Sequence, residues 1–323
     1  MSRKLRDYIP AMKYGAKIMP EDLAGFIGVP YVGSVAYIDP TGGSDGNAGN
    51  AQNDAFKTLA AAKEVLTSGQ QEVVMYVPTG GTGRSAETTA IDWNLRFTHI
   101  VGSCAPTAQD PRSGISFGVG GSLDIGENGC VIKNITLAST ADINVPVTLS
   151  GSYNSLQGVD FKGSMNATAG DDAAARALYI NGGQENTFAG CTFGSDTYNR
   201  SAANATLELA NAASRNVFYG CQFIMAADNV APLHVKFAGT SSIDRWLRFD
   251  DTLWYSFWAN NTDKITAVMN LSAQTATGHV LLTGSQVMVG ADDWEASASG
   301  RIYMQPASAT ANAIGIAINP TVT

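Results

Sequence analysis

The chain has 323 residues, 45% of them hydrophobic and only 15% charged, so it can bury a large core and is not a disordered chain. Its 34 glycines suit many short strands joined by tight turns better than long helices. The formal net charge of -8 leaves an acidic body once the basic N-terminus is set aside, which argues against a nucleic-acid-binding main domain.

Residues 1–35 read as an N-terminal arm. Arg3, Lys4, Arg6, Lys13 and Lys17 stand against Asp7 alone in its first 17 residues. An apolar stretch from Met19 to Val32 follows, with Leu23, Phe26 and Ile27 as its bulky members. It is broken by Gly25, Gly28 and Pro30, and is too short to span a bilayer. No signal peptide is evident. The four cysteines are too widely spaced for a metal motif or a dense disulfide framework.

Residues 36–95 read as the cap of a solenoid. A short strand at Ala36-Tyr37-Ile38 leads into a Gly/Asn-rich loop. A helix is expected from near Ala55, capped by Asn53 or Asp54, with Phe56, Leu59, Ala62 and Leu66 on one face. Glu72 to Val77 is expected to be a strand. The stretch YIDPTGGSDGNAGNAQNDAFKTLAAA resembles the opening of pectate-lyase-like β-helix proteins. The segments KYGAKIMPEDLAGFIGVPYVG (13–33), FTHIVGSCAP (97–106) and GDDAAARAL (170–178) are similar to tailed-phage proteins encoded among virion genes. That resemblance implies a virion-associated β-helix and supplies no active site.

Residues 96–290 carry a repeat: NTFAGCTF at 186–193, NVFYGCQF at 216–223, NSLQGVDF at 154–161 and CVIKNITL at 130–137. Weaker copies are LRFDDTLW at 247, VLLTGSQV at 280 and THIVGSCA at 98. Their starts lie 24 to 33 residues apart. The third, sixth and eighth positions are mostly apolar or small, and the fifth is usually Gly or Asn, where the backbone must bend. A period-two strand precedes most copies, ending at Leu149, Ile180, Leu209, Phe237 and Leu271. No unit buries its own apolar face, so stacking is required. The predicted fold is all-β: a right-handed parallel β-helix with an N-terminal capping helix and an extended arm, closed by a strand and cap segment at 291–323.

Candidate chemistry is sparse. The seventh position is expected to face outward and reads Cys104, Thr136, Asp160, Thr192, Gln222, Leu253 and Gln286, with a single carboxylate. Glycoside cleavage calls for two. Asp251, beside Asp250 and Arg248, fits a turn. His99, His234 and His279 fall on different coils, so no metal site is expected. Trp246, Trp254 and Trp258 form a possible protein interface. The expectation is therefore a virion structural protein without cofactor, enzymatic activity, nucleic-acid or membrane partner: a homotrimeric capsid decoration protein, assembled in the host cytoplasm. Its docking residues onto the major capsid protein or other virion proteins would be those named in the arm. The alternative is a tailspike or head fibre that binds or cleaves host polysaccharide.

Overall fold

The computed structural model describes Gly28, residues 33–258, 264–275 and 277–304, with Trp258 and residues 316–317 by backbone only. Three sheets wrap one core, an 11-stranded sheet A and 8-stranded sheets B and C, parallel throughout except for the antiparallel last strand of A at Ile316–Ala317. Eight successive coils each contribute one strand to A, then B, then C. Coil 1 runs from 73 to 93, and coils 2 to 8 start their sheet A strands at His99, Val131, Ser155, Thr187, Val217, Trp246 and His279. The fold is the expected right-handed parallel β-helix.

The repeat explains the coil. Its third position forms an inward column in sheet A: Ile132 pairs with Leu156, Leu156 with Phe188, Phe188 with Phe218 and Phe218 with Phe249. All five are essentially fully buried. The rings of Phe188, Phe218 and Phe249 stack at 4.5 and 4.7 Å. The eighth position builds a second stack, Phe161–Phe193–Phe223–Trp254, at 5.1, 4.6 and 4.5 Å. The fifth position turns A into B in the left-handed region, with φ of 57° to 60° at Gly158, Gly190 and Gly220. A Cβ there would touch nothing, so glycine is selected for its φ alone. Asn134 (φ 52°) and Asp251 (φ 50°) take the same bend, as short polar side chains can.

The outer copies depart from the pattern. In the copy at 98, residues 103–113 are inserted after the bend, so Thr136 pairs with Gly114 and not with a residue near Cys104. In the copy at 280 the turn is one residue longer, and Leu253 pairs with Val287, not Gln286.

At the C-to-A turn an amide ladder ties coils together. Asn154 N–H donates to Asn186 Oδ1 (2.9 Å) and Asn186 N–H to Asn216 Oδ1 (2.8 Å), with all three residues buried. Cys191 and Cys221 lie on neighbouring coils, and each thiol donates to a carbonyl, of Leu156 and Phe188 respectively.

The cap helix is shorter than expected, Leu59–Lys63, with Thr58 as its N-cap. Phe56 is drawn instead into a parallel bridge with Ile38, and Asp45 Oδ1 accepts the N–H groups of Lys57 and Thr58 (both 2.9 Å). Phe56, Leu59 and Ala62 still close the end of the core. Buried Glu87 accepts Leu59 N–H (2.7 Å), and burial holds its carboxyl above the usual range. The solenoid itself begins at Val73 rather than near 96, and Ala291–Glu295 completes sheet C.

Candidate functional site

The seventh-position column does not present a free outer face where it was expected to. Thr136, Asp160 and Thr192 are buried, because the inserted segment 103–113 crosses sheet B as a strap. Thr136 Oγ1 donates to Pro111 O (3.0 Å), Asp110 N–H donates to Asp160 Oδ2 (2.7 Å), and Thr192 Oγ1 donates to Ala108 O. Asp110 also pairs with Arg84, and Lys162 lies 3.8 Å from both Asp110 and Asp160. Burial pushes the Asp160 carboxyl up to about 7, against the pull of Lys162 and Arg84. This cluster is used up in holding the strap.

Sheet C offers an open face. Its outward column runs in register from Asp92 to Asp124, Thr148, Tyr179, Glu208, Lys236 and Asn270. One carboxylate therefore sits directly beside another, about 4.8 Å apart at the backbone. Ser150 Oγ donates to Asp124 Oδ1 (2.9 Å). Burial, with Asp92 as a further cause, raises the Asp124 carboxyl despite that bond. Tyr179, half-buried, stands two coils further on between two hollows. One, of about 340 Å³, is bounded by Asn211 and the 239–242 loop; the other, of about 210 Å³, by Val145, Ala174, Arg176 and Glu208. Arg176 pairs with Glu208 and donates to Ala173 O (2.9 Å). Burial, then the adjacent Arg176, holds the Lys236 ammonium below its usual range.

The expectation of a single outward carboxylate is thus corrected. The octapeptide repeat spans sheet A, the bend and the start of sheet B, so it does not reach sheet C. The signal lay in the other strand of each unit. The penultimate residues of the segments ending at Leu149, Ile180, Leu209, Phe237 and Leu271 are Thr148, Tyr179, Glu208, Lys236 and Asn270. AIDW (90–93) and SLDI (122–125) extend the series with Asp92 and Asp124.

Other expected residues fall elsewhere. Trp254 is no interface residue: it is fully buried in the ring stack, and its Nε1 donates to Gln286 Oε1 (3.0 Å). Trp246 is exposed on sheet A, and the side chain of Trp258 lies outside the described residues. Arg3, Lys4, Arg6, Lys13, Lys17, Leu23, Phe26 and Ile27 also lie outside them. Asp251 is a turn residue, accepting Ser285 N–H (2.7 Å), while Asp250 pairs with Arg248. The three histidines occupy strands of coils 2, 6 and 8, and no cluster of metal-binding side chains occurs among the described residues.

No protein-family model and no curated protein sequence matches the chain. Solved structures do. A pectin methylesterase from Aspergillus niger, in deglycosylated form, is 12% identical over 88% of this chain and 93% of that one, with a TM-score of 0.51. A rhamnogalacturonan lyase is 16% identical over 78% and 73%, at 0.40, and a pectate lyase 12% identical over 83% and 80%, at 0.36. The likeness is one of fold: a pectate-lyase-like β-helix. These neighbours are enzymes, which corrects the expectation of a protein without enzymatic activity. On sheet C, Asp92 and Asp124 supply the paired outward carboxylates that the seventh-position column lacks.

Proposed function

We propose that this chain is a glycan-processing β-helix protein that lays an extended polysaccharide along the outer face of sheet C. The observation that carries this is the in-register column from Asp92 to Lys236, which runs about 24 Å down the helix axis over five coil steps. It combines paired carboxylates, an aromatic ring between two hollows, and a cation-bearing end. A pyranose ring offers Tyr179 its apolar face, while its hydroxyls meet Glu208, Arg176 and Lys236. Asp124 is the proton donor to the glycosidic oxygen: its raised carboxyl keeps the proton at higher pH than a free aspartate, and Ser150 fixes its orientation. Asp92, exposed beside it, is the partner carboxylate that serves the incoming water or the developing positive charge on the sugar.

Together with the phage resemblance, this favours a tailspike or head fibre acting on host surface polysaccharide over a capsid decoration protein. The decoration reading draws on the basic arm, whose docking residues lie outside the described ones, and on the want of a site, which the sheet C face supplies.

The test is a reducing-end assay on bacterial surface polysaccharides, paired with a binding assay on the same material. Asp124→Asn should lower turnover by roughly 10²–10⁴-fold and leave binding intact. Tyr179→Ala should weaken binding. Turnover unaffected by Asp124→Asn and Asp92→Asn would remove the carboxylate pair from the mechanism, and a lack of binding to any glycan would end the reading.

A further inference from the structure

The B-to-C corner of coils 4 to 6 holds polar groups that the solenoid leaves unpaired. Arg200, at the end of a sheet B strand, is 4% exposed, and its guanidinium makes no hydrogen bond or ion pair among the described residues. It reaches into the corner: a Cβ on Gly163 would lie 3.2 Å from its Nη2 and 3.0 Å from the Cβ of Ala177. Ala177 is the neighbour of Thr206, whose carbonyl accepts its N–H (2.9 Å). Thr206 in turn faces His234 on the next coil, since the pairs Ala205–Leu233 and Leu207–Val235 bracket them. Thr206 Oγ1 and both ring nitrogens of His234 are fully buried and have no partner among the described residues. The imidazole is walled by the rings of Phe223 and Trp254, at 6.4 and 6.0 Å.

A buried hydroxyl or neutral imidazole can be satisfied by water. A buried guanidinium is different, because it cannot shed its charge near neutral pH. Burial, then Arg176, brings the Arg200 guanidinium down only to about 10. Arg176 spends its own charge on Glu208, so no carboxylate among the described residues balances Arg200. A lone buried charge is strongly disfavoured, whereas one matched by a counter-ion in dry surroundings is held firmly. The groups around it are donors: the guanidinium fork, a hydroxyl, and an imidazole whose fully buried ring stays neutral down to about 3 and so offers one N–H.

We propose that this corner is a binding site for a small monovalent anion of halide size, held by Arg200, Thr206 and His234. The site is independent of glycan processing. It would pin together coils 5 and 6 at the corner next to the Arg176–Glu208 end of the sheet C groove.

The test uses the full-length protein. Melting temperature is followed as sodium bromide replaces sodium gluconate at constant ionic strength, and crystals soaked in bromide are examined for anomalous scattering. The expected result is a saturable rise in melting temperature with bromide, and a peak within hydrogen-bonding distance of Arg200. Arg200→Met should lose that rise. In gluconate it should be at least as stable as the parent, because it removes an unbalanced charge; in bromide the parent should overtake it. Thr206→Val keeps the charge and should need several-fold more bromide for half of the rise, which keeps the test open if Arg200→Met fails to fold. A melting temperature indifferent to bromide, a crystal with no peak at the corner, or equal bromide dependence in parent and Arg200→Met would each overturn the proposal and leave water as the occupant.

Discussion

At the scale of single residues, two buried or half-buried aspartates make opposite uses of a raised carboxyl. Asp124 faces a groove, and one cause of its shift is the neighbouring charge of Asp92. Asp92→Asn removes that charge, so Asp124 should lose its proton at lower pH. In a pH–rate profile the alkaline limb of glycan cleavage should therefore move to lower pH, while Asp124→Asn should abolish the limb along with turnover. Asp160 faces the strap, and its carboxyl sits near 7 instead of the ordinary 3.8. Between those two values the unfolded chain gives up the proton while the folded one keeps it, so stability falls as pH rises through this window. The effect is on the order of 2–4 kcal/mol, with Lys162 and Arg84 already acting to reduce it. Asp160→Asn should flatten that part of the stability profile, as measured by urea unfolding at pH 4 to 8. A variant with the same slope as the parent would place the charged form of Asp160 on equal terms with the neutral one.

At the scale of the strand and turn, stability is carried by stacks that run across coils. Phe218 lies between Phe188 and Phe249 in sheet A and edge-on to Phe193. Phe218→Ala should cost about 3–5 kcal/mol in chemical denaturation, because no neighbour on a hydrogen-bonded ladder can move in to fill the space. Asn186→Ala should cost about 2–3 kcal/mol, since it strips an acceptor from Asn154 N–H and a donor from the Gly151 carbonyl, both buried. These two elements show what was legible in the sequence. The Phe column and the left-handed bend follow from a strict local pattern, so position in the repeat was enough to place them. The sheet C face was not read, although its strands were recognised, because outward positions obey no apolar rule and their meaning appears only when coils are laid side by side. The strap was hidden for another reason. Nothing in residues 103–113 announces that an insertion folds back over four other coils, and so the outward position of Asp160 does not reveal that it is covered.

At the scale of the whole molecule, the two ends and the long axis set what the chain can do. Among the described residues, Phe56, Leu59 and Ala62 close the first coil, and residues 1–30 belong to the arm that the sequence reading sets outside the solenoid. Deleting those residues should leave the far-ultraviolet circular dichroism spectrum and melting temperature nearly unchanged; a large drop would make the arm part of the fold. In a simple solenoid each coil touches only its neighbours, and stability adds up along a line. The strap breaks that rule. By reaching from Arg84 in coil 1 to Thr136, Asp160 and Thr192 in coils 3 to 5, it bolts coils that are not adjacent. Coils 6 to 8 have no such tie among the described residues. The molecule should therefore behave as a rigid shaft with a tip that peels. Under force applied to its two ends, extension should begin with coil-sized steps from the C-terminal side, followed by one large rupture as the bolted coils give way together, and amide exchange should be fastest in the backbone of coils 7 and 8.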